Sequence, residues 1–457
     1  MSVHEFDVVV IGLGPGGEEV AGRLAEAGLA VAGVESRLVG GECPYFGCVP
    51  SKMMIRAADL LAEARRIPGV AGTASVSPDW SPVASRIRTE ATDDWDDTVA
   101  ADRFTGKGGH LFRGAGRITG PREVQVGADL LRASRGIVIA TGTVPAIPPI
   151  PGLVGTPFWT NREAIQATEV PESLIVLGGG AIGVELAQVF ARFGAEVTVV
   201  EALSQLVPAE EPEAGELLAG VFGSEGIGVR TGVAATAISR DGTRFGVRLA
   251  GGEELSSTRL LVATGRRVDL AAVGAGAAGI DETGHAIGVD DRLHAAPGIW
   301  AIGDVVGHGA FTHMAMYHAG IVVADILGRE QHPAEYHAVP RVTFTDPEIG
   351  SVGLTQAQAM QAGLRVRVGS TQIPSSARGW IHKAGNAGFI KLVQDIDRGV
   401  LVGATSAGPT GGEVLSMLTL AVHAEVPVRR LGEMIYAYPT FHRAVEDALR
   451  SLSAAAG

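Results

Sequence analysis

Only two cysteines, Cys43 and Cys48, occur in 457 residues. Two thiols cannot staple a chain of this length, so a disulfide-held secreted scaffold is excluded. In a reducing compartment a close pair reads instead as catalytic or metal-binding. Basic residues are also scarce: Lys and Arg total 37 against 50 Asp and Glu, a formal charge of −13. A duplex nucleic-acid binder needs a basic face. No apolar run approaches the ~18 residues of a membrane span. Met1–Asp7 carries no basic region ahead of the strand-like Val8-Val9-Val10-Ile11, so no signal peptide is expected. Together these absences point to a cytoplasmic protein that engages neither nucleic acid nor membrane.

Glycine is abundant instead, at 64 residues, about twice the ~7% average. It has no collagen period, which implies many tight turns and close backbone approaches. The length leaves room for two or three domains. Phe6–Ile11 reads as a buried strand, Gly17–Ala27 as a helix and Ala30–Val34 as a second strand. The same βαβ order recurs at Leu174–Leu177, Ile182–Phe193 and Glu196–Val200. This recurrence predicts two nucleotide-binding domains on one chain. A proline-dense boundary lies at Pro145–Gly152. The chain returns to the first domain from about Ala271, with a helix over Ala315–Leu327, and Arg329–Pro340 reads as a linker. The remainder alternates strands (Phe389–Val393, Leu401–Ser406) with helices (Glu413–Ala424, Phe441–Leu452), an α+β third domain. Low complexity is confined to the Ala-Ala-Ala-Gly tail. The expected division is 1–150 with 271–335, then 151–270, then 336–457.

The run V-V-V-I-G-L-G-P-G-G sets Gly12, Gly14 and Gly17 in a G-x-G-x-x-G turn, with Pro15 and Gly16 opening the helix. Gly12 permits the tight turn, Gly14 lets backbone approach a pyrophosphate, and Gly17 allows close helix–strand packing. The helix N-terminus stabilises phosphate without a lysine, so an acidic chain can still hold an anionic dinucleotide. Glu35 ends the second strand, where a carboxylate can accept both ribose hydroxyls. The second copy supplies Gly178, Gly180, Ala181, Ile182 and Gly183, followed by Glu201 at the matching distance. A carboxylate there repels the 2′-phosphate of NADP and binds the free hydroxyls of NAD, which favours NADH; the alternative is a solvated strand-end glutamate.

Between the two turns lies G-G-E-C-P-Y-F-G-C-V-P-S-K. Two cysteines are too few for a structural zinc site, and no metal site is expected. A disulfide closing so small a ring adds little stability. Thiol–disulfide exchange remains, and a helix starting here would lower a thiolate pKa.

With A-I-G-D at Ala301–Asp304 added, these motifs resemble the flavoprotein pyridine nucleotide–disulfide oxidoreductases, a family that includes dihydrolipoamide dehydrogenase, glutathione reductase and mercuric reductase. The resemblance covers essentially the whole chain in family order. It implies an α/β fold with two Rossmann-like domains, FAD on the first and NAD(P)H on the second, and a C-terminal α+β domain that forms a homodimer. It implies that Cys48 packs against the flavin as a charge-transfer thiolate and that Cys43 attacks a small-molecule disulfide substrate. Lys52 would approach flavin N5 and pair with Glu185; a cation there stabilises charge on reduced flavin. Asp304, beside Gly303, would bond the ribityl chain, with Thr312 by the flavin and Gly116 near the adenine. Gly41, Thr141 and Gly142 join this FAD set, while Gly265 and Arg266 of the second A-T-G turn join the NAD set.

The C-terminus departs from the family. Its disulfide reductases carry His-Pro-Thr and, five residues after the His, a Glu, a dyad that manages thiol protons. Here Tyr438 occupies the histidine position and Arg443 the glutamate position. Mercuric reductases share the tyrosine but add a C-terminal vicinal cysteine pair, which this sequence lacks. A Tyr438–His442–Glu446 row on one helix face could supply a replacement base, against the plain alternative of an exposed i,i+4 pair. Arg378, Trp380 and His382 are candidates for shaping a pocket; His313 and His318 have no ligand spacing. The expected activity is electron transfer from NADH through FAD to the Cys43–Cys48 disulfide and on to a disulfide or dithiol. The alternatives are a quinone or metal-ion reductase and an FAD-holding redox sensor without fast turnover.

Overall fold

The computed structural model describes residues 2–454, with side chains through residue 452; the last three residues of the low-complexity tail lie outside it. Two compact units form, Met1–Ser51 with Ser85–Ala146 and Gly265–Tyr336, and Lys52–Ala84 with Ile147–Thr264 and His337–Gly457.

In the first unit Ser2–Ile11 pairs in parallel with Val31–Glu35 on one side and with Asp129–Ile139 on the other. Ile299–Ala301 and His110–Arg113 extend the parallel sheet at either flank. Val8, Val9 and Val10 are all fully buried, because both faces of a parallel sheet are covered and its strands need apolar residues on each. Pro15–Glu26 and Thr312–Ile326 cover one face through Val20, Leu24, Ala319 and Val322. The other face packs Val9, Ile11, Ile137 and Ile139 against the Gly116–Gly120 and Glu123–Val126 hairpin. The Arg329–Pro340 stretch is less loose than a linker reading implies, since Tyr336 stacks on His308 at 3.9 Å between ring centroids.

The second unit repeats the plan. Its parallel sheet runs Gly228–Arg230, Glu196–Val200, Ser173–Leu177, Arg259–Val262, with Ala181–Arg192 as the crossover helix. A three-stranded antiparallel sheet, Ala235–Asp241 through Glu254–Ser257, adds Ile238, Phe245 and Val247 to the same core. The C-terminal third folds as a five-stranded antiparallel sheet in the order Pro340–Thr343, Glu348–Gly353, Val400–Gly408, Phe389–Asp395, Val366–Gln372. Helices Gly411–His423 and Ala444–Ala454 pack on it through Leu415, Leu418, Val445 and Leu449.

Three boundaries differ from the sequence reading. Helix Thr312–Ile326 starts a turn before Ala315. The last helix begins at Ala444, not Phe441, so Tyr438 and His442 precede it and share no helix face with Glu446. Residues 52–84 belong to the second unit: Trp80 donates its indole N–H to the Ala167 carbonyl and packs edge-on against Phe193.

The two glycine turns are near copies. Gly12 (φ +91°) and Gly178 (φ +110°) donate N–H to Val34 and Val200, each at 2.8 Å. A Cβ on Gly17 would sit 1.9 Å from the Gly12 carbonyl oxygen, and one on Gly183 2.0 Å from that of Gly178. Only glycine lets helix and strand approach this closely. Gly183→Ala should therefore cost about 1–3 kcal/mol through overpacking, whereas Gly180→Ala, with open space around its Cβ position, should stay within about 0.5 kcal/mol. Urea unfolding followed by tryptophan fluorescence reads the difference, and equal midpoints would refute the close-approach argument.

Candidate functional site

The glycine turns of both units end at uncapped helix N-termini. Gly14 caps Pro15–Glu26 and Gly180 caps Ala181–Arg192, neither with a side-chain hydrogen bond, and nothing lies within 4 Å of either Cβ position. Open space in front of unsatisfied N–H groups at a dipole's positive end is a cradle for a phosphate.

The acidic residue after each turn is already ordered. Glu35 accepts the Leu13 and Arg37 N–H groups, both at 2.8 Å; Glu201 accepts those of Gly179 at 2.6 Å and Leu203 at 2.8 Å. Each carboxylate is 8% exposed, so Glu201 is not a solvated strand-end residue. A carboxylate has about four acceptor positions, so hydroxyl-accepting capacity remains after two backbone bonds. Both sites fit a dinucleotide: Gly12–Gly17 with Glu35, and Gly178–Gly183 with Glu201.

In the first unit Gly41 (φ +69°) lies so close to the first turn that its Cβ would meet the Gly14 Cα at 2.7 Å. This contact brings the cysteine segment onto that turn. Cys43 lies in the short helix Glu42–Phe46, and Cys48 begins the helix Cys48–Arg65. Both are thiols, and the Cys48 Sγ is 3.4 Å from Thr312 Oγ1. The expected lowering of a thiolate pKa does not appear at Cys43. Its hydrogen bond to Cys48, and then burial, push its thiol well up, with Thr312 opposing. Two thiols this close titrate as a pair, and for Cys43 the direction is upward.

Asp304 accepts the Thr143 hydroxyl at 2.8 Å, and that hydroxyl accepts Arg266 Nε at 2.7 Å. Arg266 also donates to the Thr143 carbonyl. Gly265 and Arg266 thus lie with the first unit, and the guanidinium placed in the NAD set by sequence is engaged by Thr143 instead. Thr141 and Gly142 (φ +63°) form the adjacent turn. Gly116 sits over the strand ends, its Cβ position 3.0 Å from Ile11 and Val34 side chains. Gly303 donates its N–H to His318 Nδ1 at 3.1 Å; His318 is fully buried and meets the Tyr336 hydroxyl at 3.1 Å through Nε2. Burial pulls the His318 pKa down to about 4, so the ring is neutral at pH 7.

In the second unit Lys52 Nζ donates to Glu185 Oε2 at 2.6 Å and lies 4.6 Å from the Phe344 ring centroid. Glu185 Oε1 accepts the Phe344 N–H at 2.8 Å. One helical turn on, Gln188 brackets the Asp346 peptide, accepting its N–H at 2.8 Å and donating to its carbonyl at 2.9 Å. Arg192, 3% exposed, reaches Asp59 and Asp346 at 2.7 Å each and Glu225 bidentately. Arg66 meets Asp346 at 2.6 Å. Lys52, Asp59 and Arg66 recur every seven residues, and Glu185, Gln188 and Arg192 share one face of their helix. Sequence reasoning found only the first rung; helical spacing of opposite charges was the available signal.

The C-terminal row does not form. Glu446 is held by Arg443 and Arg450, while the His442 ring tilts against Tyr436 at 6.2 Å. Arg443 reaches Glu446 because both flank the helix start, which leaves His442 without the carboxylate expected to orient it. Tyr438 is 70% exposed, under the Arg443 guanidinium. Arg378 and His382 both pack on Phe441, and Trp380 is exposed.

Residues 6–319 match the family described as pyridine nucleotide-disulphide oxidoreductase, and residues 339–449 match its dimerisation domain. Dihydrolipoyl dehydrogenase of Thermus scotoductus is 35% identical over 98% of this chain and 97% of its own length. Mercuric reductase of Acidithiobacillus ferrooxidans is 32% identical over 96% of this chain and 81% of its own. The Cu(II) complex of the HOCl-induced flavoprotein disulfide reductase RclA from Escherichia coli superposes with a TM-score of 0.85 at 26% identity, covering 98% of this chain and 99% of that one.

The charged ladder carries a pH dependence. Burial, with Asp346 adding to it and Arg192 opposing, raises Asp59 from 3.8 to about 6. A carboxyl raised in the folded state contributes stability that is full below pH ~3.8 and is lost as pH rises through ~6. Asp59→Asn should therefore gain thermal stability over the parent as pH rises from 5 to 7.5. Parallel Tm-versus-pH curves for the two proteins would contradict this.

Proposed function

This chain belongs to the pyridine nucleotide–disulphide oxidoreductases and is an FAD-dependent NAD(P)H oxidoreductase; from that premise we propose that it passes electrons from NADH to the Cys43–Cys48 pair and on to a disulfide substrate. The first unit, 1–51 with 85–146 and 265–336, holds FAD; within the second, 147–264 hold the nicotinamide dinucleotide and 337–457 join two copies as a homodimer. Bound FAD supplies the two-electron carrier between nicotinamide and sulfur.

The observation that carries this reading is the seating of the cysteine segment on the first glycine turn, with Gly41 against Gly14 and Cys48 beside Thr312. In the substrate half-reaction the Cys43 sulfur attacks one substrate sulfur, and the other leaves as a thiol with a proton. Cys48 then displaces the mixed disulfide, closing Cys43–Cys48 and releasing the second thiol. The net change is NADH, a proton and a disulfide to NAD⁺ and a dithiol. The upward shift at Cys43 works against its thiolate, the form that attacks, so a proton must leave the pair for the exchange to start. Lys52, whose Nζ donates to Glu185 at 2.6 Å, would supply positive charge to reduced flavin. Asp304, oriented by Thr143, takes the ribityl hydroxyls.

NADH preference follows from the ribose-side loop. Glu201, bonded to the Gly179 N–H of the turn, meets a 2′-phosphate with a negative charge, and residues 202–209 (A-L-S-Q-L-V-P-A) bring no lysine or arginine to offset it. Only two cysteines in 457 residues suit a cytoplasmic location. No helix among the described residues is long and apolar enough to cross a membrane.

A second reading is favoured by one observation: two arginines neutralise Glu446, so no carboxylate orients a histidine base near Tyr438. Thiol chemistry at pH 7 then lacks a tuned proton acceptor. An acceptor that needs less proton management, a quinone or a metal ion such as the Cu(II) bound by RclA, becomes the alternative.

Steady-state assays with lipoamide, glutathione disulfide, a quinone, Cu(II) and ferricyanide separate the two. On the disulfide reading Cys43→Ser loses at least 100-fold in disulfide reduction and keeps ferricyanide activity; a parental disulfide rate would refute the dithiol route. Glu201→Gln should lower the NADH/NADPH ratio of kcat/KM about tenfold, and an unchanged ratio would remove Glu201 from cofactor choice.

A further inference from the structure

The loop from Ala202 to Glu211 joins the ribose carboxylate, Glu201, to the helix Pro212–Ser224. Its middle lies on the second glycine turn. Val207 donates its N–H to the Gly179 carbonyl at 2.8 Å, and a Cβ on Gly179 would meet Leu206 Cδ2 at 2.8 Å. Val207 itself has φ +44°, a conformation that a β-branched residue holds only where its surroundings over-determine it.

The restraint comes from the far end of the loop. Arg341, on Pro340–Thr343, grips Glu210 with two bonds of 3.0 and 2.9 Å. Lys391, on Phe389–Asp395, reaches Glu211 at 3.0 Å and Glu213 at 2.7 Å. Glu211 also accepts the Gln356 N–H at 2.7 Å. The Lys391 and Glu211 side chains are only 5% and 3% exposed. A buried ion pair contributes little net stability against an apolar substitute, and its best-attested use is to fix register. The register fixed here is that of the loop on the turn.

We propose that Lys391, with Arg341, is a positioning residue for the nicotinamide-dinucleotide site: by clamping Glu211 and Glu210 it holds Leu206–Val207 against Gly179 and keeps Glu201 aimed at the adenosine ribose. The inference rests on the reading that this turn holds the dinucleotide. It assigns to the C-terminal third of the chain a share in cofactor affinity.

The test is calorimetric titration of the FAD-loaded dimer with ADP-ribose, alongside KM and kcat for NADH with ferricyanide. Lys391→Met strands the Glu211 charge and releases the loop. ADP-ribose Kd and NADH KM should rise about tenfold, with kcat within twofold of the parent, the signature of lost uniform binding. Lys391→Met/Glu211→Gln removes the stranded charge, so Tm should recover while the weakened affinity persists. An affinity that recovers together with Tm, or that never fell in Lys391→Met, overturns the proposal. Glu201→Gln is the control for the underlying reading. If it leaves ADP-ribose affinity unchanged, the dinucleotide is not held at this turn and the clamp proposal falls with that reading. If it weakens binding while Lys391→Met does not, the clamp alone is wrong.

Discussion

Everything chemical in this protein depends on how closely a helix can approach a strand. At Gly12–Gly17 and Gly178–Gly183 the absent Cβ atoms let the first turn of a helix lie on the carbonyl of the residue that follows the strand. That approach aims free N–H groups at one point in space and leaves room there at Gly14 and Gly180. The carboxylates of Glu35 and Glu201 face the same turns and are fixed by two backbone N–H groups each. The ordering that a dinucleotide would otherwise impose on binding is built into the fold, so an acidic chain can offer an anionic cofactor backbone N–H groups in place of side-chain cations.

The sulfur chemistry is attached to that framework through one further contact, Gly41 on Gly14, and one hydroxyl, Thr312, at the start of a helix on the covered face of the sheet. The upward shift at Cys43 shows the consequence of placing two thiols together: a charge on one makes ionising the other harder. A base elsewhere would normally relieve this. At the C-terminal segment Arg443 and Arg450 hold Glu446, the carboxylate expected to serve one.

Much of this was legible in the sequence, and the reasons are specific. The strands around Val8 and Leu174 are buried on both faces, so they appear as unbroken apolar runs. The glycine turns and the cysteine segment carry residue types with few other uses. The C-terminal helix was misjudged because Phe441, Val445, Ala448 and Leu452 keep helical spacing and all pack on one core, although Phe441 lies before the helix begins. Thr312 was missed as a helix start since Phe311 offers no capping side chain. Of the Arg192 ladder only the helical spacing of its charges was legible; its rungs come from segments around residues 59, 192, 225 and 346, and only the folded chain shows that they meet.

That ladder has a consequence for how the chain can vary over evolution. Lys52, Asp59 and Arg66 meet three fixed partners, Glu185, Arg192 and Asp346, at seven-residue intervals. One residue inserted between any two of them would turn every later rung by about 100° around the helix axis and carry it about 1.5 Å along. Substitutions at the intervening positions leave the spacing untouched. The segment from Lys52 to Arg66 therefore acts as a ruler, free to change in composition but held to a constant length.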